Sequence, residues 1–128
     1  MKACYNLFRT DNYSVASEVR TVATRAELSS RIQRLISARL YRFSSHAEKE
    51  RHADQITIEE FEQAMGKAPE VIEDYPTDPR GASCLALGFT ARGDPLHVVC
   101  GLSVSNVIVV VTVYRPHPSK WVNWRMRR

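Results

Sequence analysis

Between positions 27 and 40 the apolar residues Leu28, Ile32, Leu35, Ile36 and Leu40 recur at helical spacing, with Arg31, Arg34 and Arg39 on the other faces. The pattern predicts an amphipathic helix that clears from Glu27 onward. Ser45 and Glu48 make a capping box that predicts a second helix from Ser45 through His46 to about Ala53. A third helix is marked by a capping box of Thr57 and Glu60, by Ile56 and Phe61 at the hydrophobic-staple positions, and by Gly66 as its stop. Four runs then read as strands: Glu70 to Tyr75, Ser83 to Phe89, Leu96 to Gly101 and Val107 to Tyr114. Pro76, Asp78, Pro79 and Gly81 separate the first two; Arg92, Gly93 and Asp94 make a hairpin; Ser103, Ser105 and Asn106 make the last link. Links this short predict antiparallel neighbours. The last strand is apolar on both faces, as a central strand covered by helices would be, and Pro116 ends it. Helices first and strands afterwards predict an α+β fold, with N-terminal helices packed on a roughly four-stranded antiparallel sheet. Residues 1–24 show no clear period, only scattered aromatics Tyr5, Phe8 and Tyr13, and read as an N-terminal extension to a single domain over 25–128.

Composition narrows the class. A chain of 128 residues, 44% hydrophobic and 25% charged, has the makeup of one globular domain with one core. Its longest apolar run, Val107 to Val113, falls far short of the roughly 20 residues that span a bilayer, so no membrane helix is expected. Asn6 and Arg9 interrupt the apolar region a signal peptide would need, and a cytoplasmic location is the default expectation. Cys4, Cys84 and Cys100 are odd in number and lack CxxC spacing, so neither a disulfide framework nor a zinc ribbon is suggested. P-loop, dinucleotide-glycine, GxSxG and HExxH motifs are absent, and no cofactor is expected.

The net charge of +4 conceals a division. Residues 1–42 carry eight basic and three acidic side chains, residues 43–78 three and ten, and residues 79–128 seven and one. Beyond Asp94 there is no acid, while Arg115, Lys120, Arg125, Arg127 and Arg128 gather behind the last strand. Such a field attracts polyanions, nucleic acid first, although an acidic protein would use it equally.

Alternation along its strand puts Leu96, Val98 and Cys100 on one face and His97 with Val99 on the other. Tyr114 and Thr112 share a face of the last strand, and a short meander brings them near His97 beside the basic end. Imidazole suits acid–base work near neutral pH, and phenol or guanidinium binds phosphate, as a metal-independent ribonuclease needs. A hydrogen-bonded packing histidine is the competing reading. His46, Glu50 and Asp54 follow one another at i, i+4 on the second helix. They suit either a polar network that pins helix to sheet or part of a metal site that borrows a further ligand. The closing segment alternates cations with aromatics from Tyr114 and Arg115 through Lys120, Trp121 and Trp124 to Arg125. Stacking and phosphate pairing of this kind hold single-stranded RNA, although Trp121 also suits a core plug that staples the tail to the sheet.

Several of these residues carry a family resemblance. Ser45-His46-Ala47, Ile56-Thr57, Glu73-Asp74-Tyr75-Pro76, Ser83-Cys84-Leu85, Leu87-Gly88, Pro95-Leu96-His97-Val98-Val99 and Thr112-Val113-Tyr114-Arg115-Pro116, with Trp121 beyond, resemble the bacterial domain-of-unknown-function family 4258 in order and spacing over Leu28 to Arg128. This chain has Glu50 and Asp54 where many members carry arginines, as one acidic subgroup does. Members look like relatives of the RelE/ParE-like (MqsR-like) toxin superfamily. The resemblance implies a type II toxin that cleaves messenger RNA, on or off the ribosome, and is held by a cognate antitoxin, a small zinc-finger protein. It carries over His97, Tyr114 and Arg115 as catalytic candidates on the sheet, and His46 with Glu50 as the helix feature, His46 counted among the catalytic candidates. Lys120, Trp121, Arg125 and Tyr75 are the expected substrate-binding residues, and no metal is expected. The alternative is a non-catalytic binding module that uses the same basic face for nucleic acid or a protein.

Overall fold

The structure is a computed structural model that describes residues 23–128. Cys4, Tyr5, Phe8 and Tyr13, and nearly all of the expected extension, lie outside the described residues. Helix α1 (Arg25–Ser37) starts slightly before the apolar stripe, because Thr24 caps it and Glu27 returns a hydrogen bond to the Thr24 N–H. Leu28, Ile32, Leu35 and Ile36 are its buried face, but Leu40 lies beyond the helix and is exposed. The chain turns there through Arg39 at φ 59°, with Leu40 N–H bonded to the Leu35 carbonyl and Arg39 N–H to that of Ile36.

Helix α2 (Ser45–Ala53) corrects the expected Ser45–Glu48 capping box. Ser44 is the N-cap, its hydroxyl accepting from Ala47 N–H, and Glu48 pairs with Arg51 instead. Helix α3 (Ile58–Lys67) has the expected Thr57–Glu60 box, with Ile56 and Phe61 both buried. Gly66 is not its stop. It is helical, its carbonyl accepts the Ser37 hydroxyl at 3.0 Å, and the helix runs to Lys67 before the chain extends into the sheet.

The four expected strands are β2 (Glu70–Tyr75), β3 (Ser83–Phe89), β4 (Pro95–Gly101) and β5 (Ile108–Tyr114), paired antiparallel in sequence order. A further strand, β1 (Tyr41–Phe43), pairs parallel with β5, so the sheet is five-stranded and mixed, in the order β1-β5-β4-β3-β2. Three residues are too few to show a period, and a parallel partner gives no local turn signal. A second small ribbon, β6 (Trp121–Val122) with β7 (Met126–Arg127), was likewise not expected.

All three described helices cover one face of the sheet, where Cys84, Ala86, Leu96, Val98, Cys100, Ile108, Val110 and Val113 meet the helix core. Val110 and Val113 break strict alternation, and a bulge at Val111 lets both point inward. Gly88 lets α3 touch β3: a Cβ there would stand 2.2 Å from the Ala64 carbonyl oxygen. The opposite face bears Ile72, Leu85, Leu87 and Val99 under Trp121 and Trp124. Strand β5 is therefore not covered by helices on both sides, and Val111 is 40% exposed.

Candidate functional site

His97 and Tyr114 lie directly opposite each other in the β4–β5 register, on the face away from the helices. The His97 imidazole is fully buried, with Trp121 edge-on at 4.4 Å between ring centres and Tyr114 at 5.3 Å. Its Nε2 stands 2.7 Å from the Trp124 carbonyl oxygen, which can only accept, so Nε2 carries hydrogen. Burial lowers the imidazole pKa, only partly opposed by the Trp124 carbonyl and the Glu73 charge, and the ring is neutral. Nδ1 is then an acceptor, and Tyr114 donates its hydroxyl proton to it across 3.0 Å. Burial raises the Tyr114 phenol above its ordinary value.

The ribbon holds this arrangement. Between β6 and β7 the chain reverses through Asn123 (φ 51°) and Trp124 (φ 63°), closed by Arg125 N–H to the Val122 carbonyl. A tryptophan in the left-handed region costs on the order of 1 kcal/mol or more. That conformation aims its carbonyl at His97. Arg127 makes a two-pronged pair with Glu73, at 2.8 and 3.0 Å, and stacks over the Trp121 ring at 4.7 Å. Arg125 pairs with Glu70 at 3.0 Å. Arg127 holds the Glu73 carboxyl below the usual range, and the Tyr75 hydroxyl bonds the same carboxylate. Sequence reasoning missed Glu73 as a site residue. Its place two positions from Tyr75, on the same strand face, was the available signal.

Beside Tyr114 opens a cleft of about 590 Å³, lined by Tyr114, His117, Ser119, Lys120, Arg127 and Arg128, with Arg115 and Trp121 in its walls. Among the described residues, no acidic side chain lines it. Among the described residues, no carboxylate pairs with Lys120 or Arg128. Tyr75 and Arg125 stand outside this lining, Tyr75 beside the Asp78 loop. A second, smaller cavity of about 340 Å³ lies at the other end of the open face, between Arg42, Arg80, Gly101 and Val111.

Arg115 is engaged inward. Its N–H donates to Asp54, and its guanidinium reaches the Asp54 and Gln55 carbonyls and the Glu60 carboxylate, all near 3.0 Å. The carbonyl end of α2 and a carboxylate favour a cation there. The His46–Glu50–Asp54 line runs along β5. Glu50 accepts the Val113 N–H at 3.1 Å and Asp54 the Arg115 N–H at 2.9 Å, while exposed His46 rests 3.2 Å from the other Glu50 oxygen. Four helical residues rise about 6 Å. Two strand residues span about 6.6 Å. The i, i+4 carboxylates therefore continue the ladder of β5 where β1 stops. Among the described residues no three His, Cys, Asp or Glu side chains gather as a metal site.

Fold and site together define a class: a small α+β domain with a cation-lined cleft on the face of its sheet that the helices leave open. Residues 43–115 match the family described as Domain of unknown function (DUF4258), and the chain belongs to that family. The matched segment runs from the end of β1 to Arg115, and so includes His97 and Tyr114 but not the ribbon. No curated protein and no solved structure matches the chain. Among the described residues no helix is long and apolar enough to cross a membrane.

Proposed function

We propose that this domain is a metal-independent endoribonuclease of the RelE/ParE-like kind, a cytoplasmic toxin that cleaves messenger RNA and is held by a cognate antitoxin. One observation carries the reading: the Tyr114 hydroxyl, its proton committed to buried His97, borders a cleft lined by cations and, among the described residues, by no acidic side chain. The phenol oxygen keeps lone pairs for a substrate 2′-hydroxyl. As that oxygen attacks phosphorus, its proton passes to Tyr114 and the Tyr114 proton passes to His97 Nδ1. The imidazolium so formed would donate from both nitrogens, to Tyr114 and to the Trp124 carbonyl, with Glu73 as the nearby countercharge. The 5′-oxygen leaves as a hydroxyl with a proton from solvent, and a 2′,3′-cyclic phosphate remains. Lys120 and Arg127 face the phosphate, and the exposed Tyr75 ring is offered to a base beyond the cleft, while Trp121, buried between His97 and Arg127, holds the ribbon rather than a base. His97 thereby acts through Tyr114. An antitoxin, a small zinc-finger protein in this reading, would cover the cleft with an acidic segment.

Expression in bacteria tests the reading. The wild type should arrest growth and shorten cellular RNA, and His97→Ala should do neither; equal toxicity from both would remove His97 from the mechanism. The full burial of His97, with both nitrogens engaged, favours a second reading, a module that binds RNA without cutting it. Bound but intact RNA is its signature.

A further inference from the structure

The cleft is lined by a histidine, His117, in a setting opposite to that of His97, which is buried outside the lining. His117 is exposed and opens the turn His117–Pro118–Ser119–Lys120, closed by Lys120 N–H to the His117 carbonyl at 3.0 Å. Proline occupies the turn position that its fixed φ suits. The Ser119 backbone N–H donates to His117 Nδ1 at 3.1 Å, with the Ser119 hydroxyl 2.7 Å from the same nitrogen. A backbone N–H can only donate, so Nδ1 accepts, and the neutral ring carries its proton on Nε2. His117, which lines the cleft, therefore carries its free ring donor at Nε2.

The turn also sets the neighbours. Its first and last residues have Cα atoms within about 7 Å, which places Lys120 next to His117. Arg128 is strapped onto the same turn, its N–H to the Lys120 carbonyl at 3.0 Å and its Nε to the Pro118 carbonyl at 2.8 Å. Residues bearing a ring N–H, an ammonium and a guanidinium are thus held on one turn and its strap, lining a cleft to which, among the described residues, no acidic side chain contributes.

We propose that this turn is a phosphodiester-binding subsite, in which His117 Nε2–H and Lys120 hold one backbone phosphate of single-stranded RNA. The proposal rests on the reading that RNA occupies the cleft, but not on cleavage. The bond to a phosphate oxygen is charge-assisted on the acceptor side, and a backbone-fixed donor loses little freedom on making it.

The experiment uses the full chain with ¹⁵N-labelled histidine and two probes, a short single-stranded RNA with hydroxyl ends and inorganic phosphate. The free protein should show His117 in the Nε2–H form. The RNA should move that Nε2 signal at concentrations where inorganic phosphate does not. His117→Ala should weaken RNA affinity about tenfold. His117→Gln, whose amide N–H reaches where Nε2 did, should recover most of that loss. An Nδ1–H ring, or a signal that answers free phosphate and not RNA, would overturn the subsite. RNA bound intact with the His117 signal displaced would overturn cleavage and leave the subsite standing. RNA bound and cut equally well by His117→Ala would overturn the subsite and leave cleavage standing.

Discussion

The two faces of the sheet are covered by different physics. Three helices seal one with Ile32, Leu35, Ile36, Phe61 and Met65 against small strand residues such as Ala86 and Cys100, both fully buried. The other is covered by two tryptophans on a short ribbon, latched by Arg125–Glu70 and Arg127–Glu73 and by one histidine bonded to a carbonyl. Apolar burial by three helices holds the first face; on the second a smaller apolar patch under the tryptophans is combined with polar, partly exposed pairs. The candidate chemistry sits on the second side, with its positioning residue anchored in the sheet that the helix layer supports.

Truncating each side separates them most sharply. Phe61→Ala should cost about 3–5 kcal/mol in urea unfolding, since it empties the middle of the helix core. Trp121→Ala should cost clearly less, because the ribbon can lift without opening the helix layer, and hydrogen exchange should show the loss confined to β6 and β7. An equal loss from the two would break the comparison. Gly88→Ala comes next, at about 2–3 kcal/mol, as its new Cβ would push α3 off the sheet. Glu50→Ala should cost about 1–3 kcal/mol by leaving the Val113 N–H unpaired, and Glu50→Gln less, because its amide oxygen still accepts.

Acid should act on the ribbon side first. The folded pKa of His97 lies below the ordinary 6.5, so the unfolded chain takes the proton more readily. The contribution of neutral His97 is complete above about pH 6.5 and declines as pH falls below it. Glu73 and Glu60, both held below the ordinary 4.5, add losses only under that value. A pH series of ribbon exchange rates should therefore begin to move before global stability does. Arg127→Ala has the smallest expected effect on folding, under about 1 kcal/mol for a pair whose arginine is 63% exposed, while weakening RNA binding measurably.

Local signals made much of this legible. The stripe of Leu28, Ile32, Leu35 and Ile36, the Thr57–Glu60 box and the alternation around His97 all persist in the fold. Features set by distant partners were not legible. Strand β1 depends on β5 for its pairing. The α2 cap was read at Ser45, and Ser44 takes the role while its N–H bonds the Val110 carbonyl and its hydroxyl that of Val111. Helices α1 and α2 end on left-handed Arg39 and Gln55, without the glycine that usually marks such a stop. At the site, the facing of His97 and Tyr114 followed from strand periodicity. The Trp124 carbonyl and the Glu73–Arg127 pair did not, since both require the ribbon to fold back across the sheet.

The central claim is that Tyr114, positioned by His97, cleaves RNA bound in the cationic cleft. Its most direct measurement compares the wild type with Tyr114→Phe on single-stranded RNA in the presence of a chelator, with the product ends analysed. The account predicts fragments ending in 2′,3′-cyclic phosphate from the wild type, and a rate at least about a hundredfold lower from a variant that still folds and binds RNA. Intact RNA with the wild type, or equal cleavage by both proteins, would contradict it.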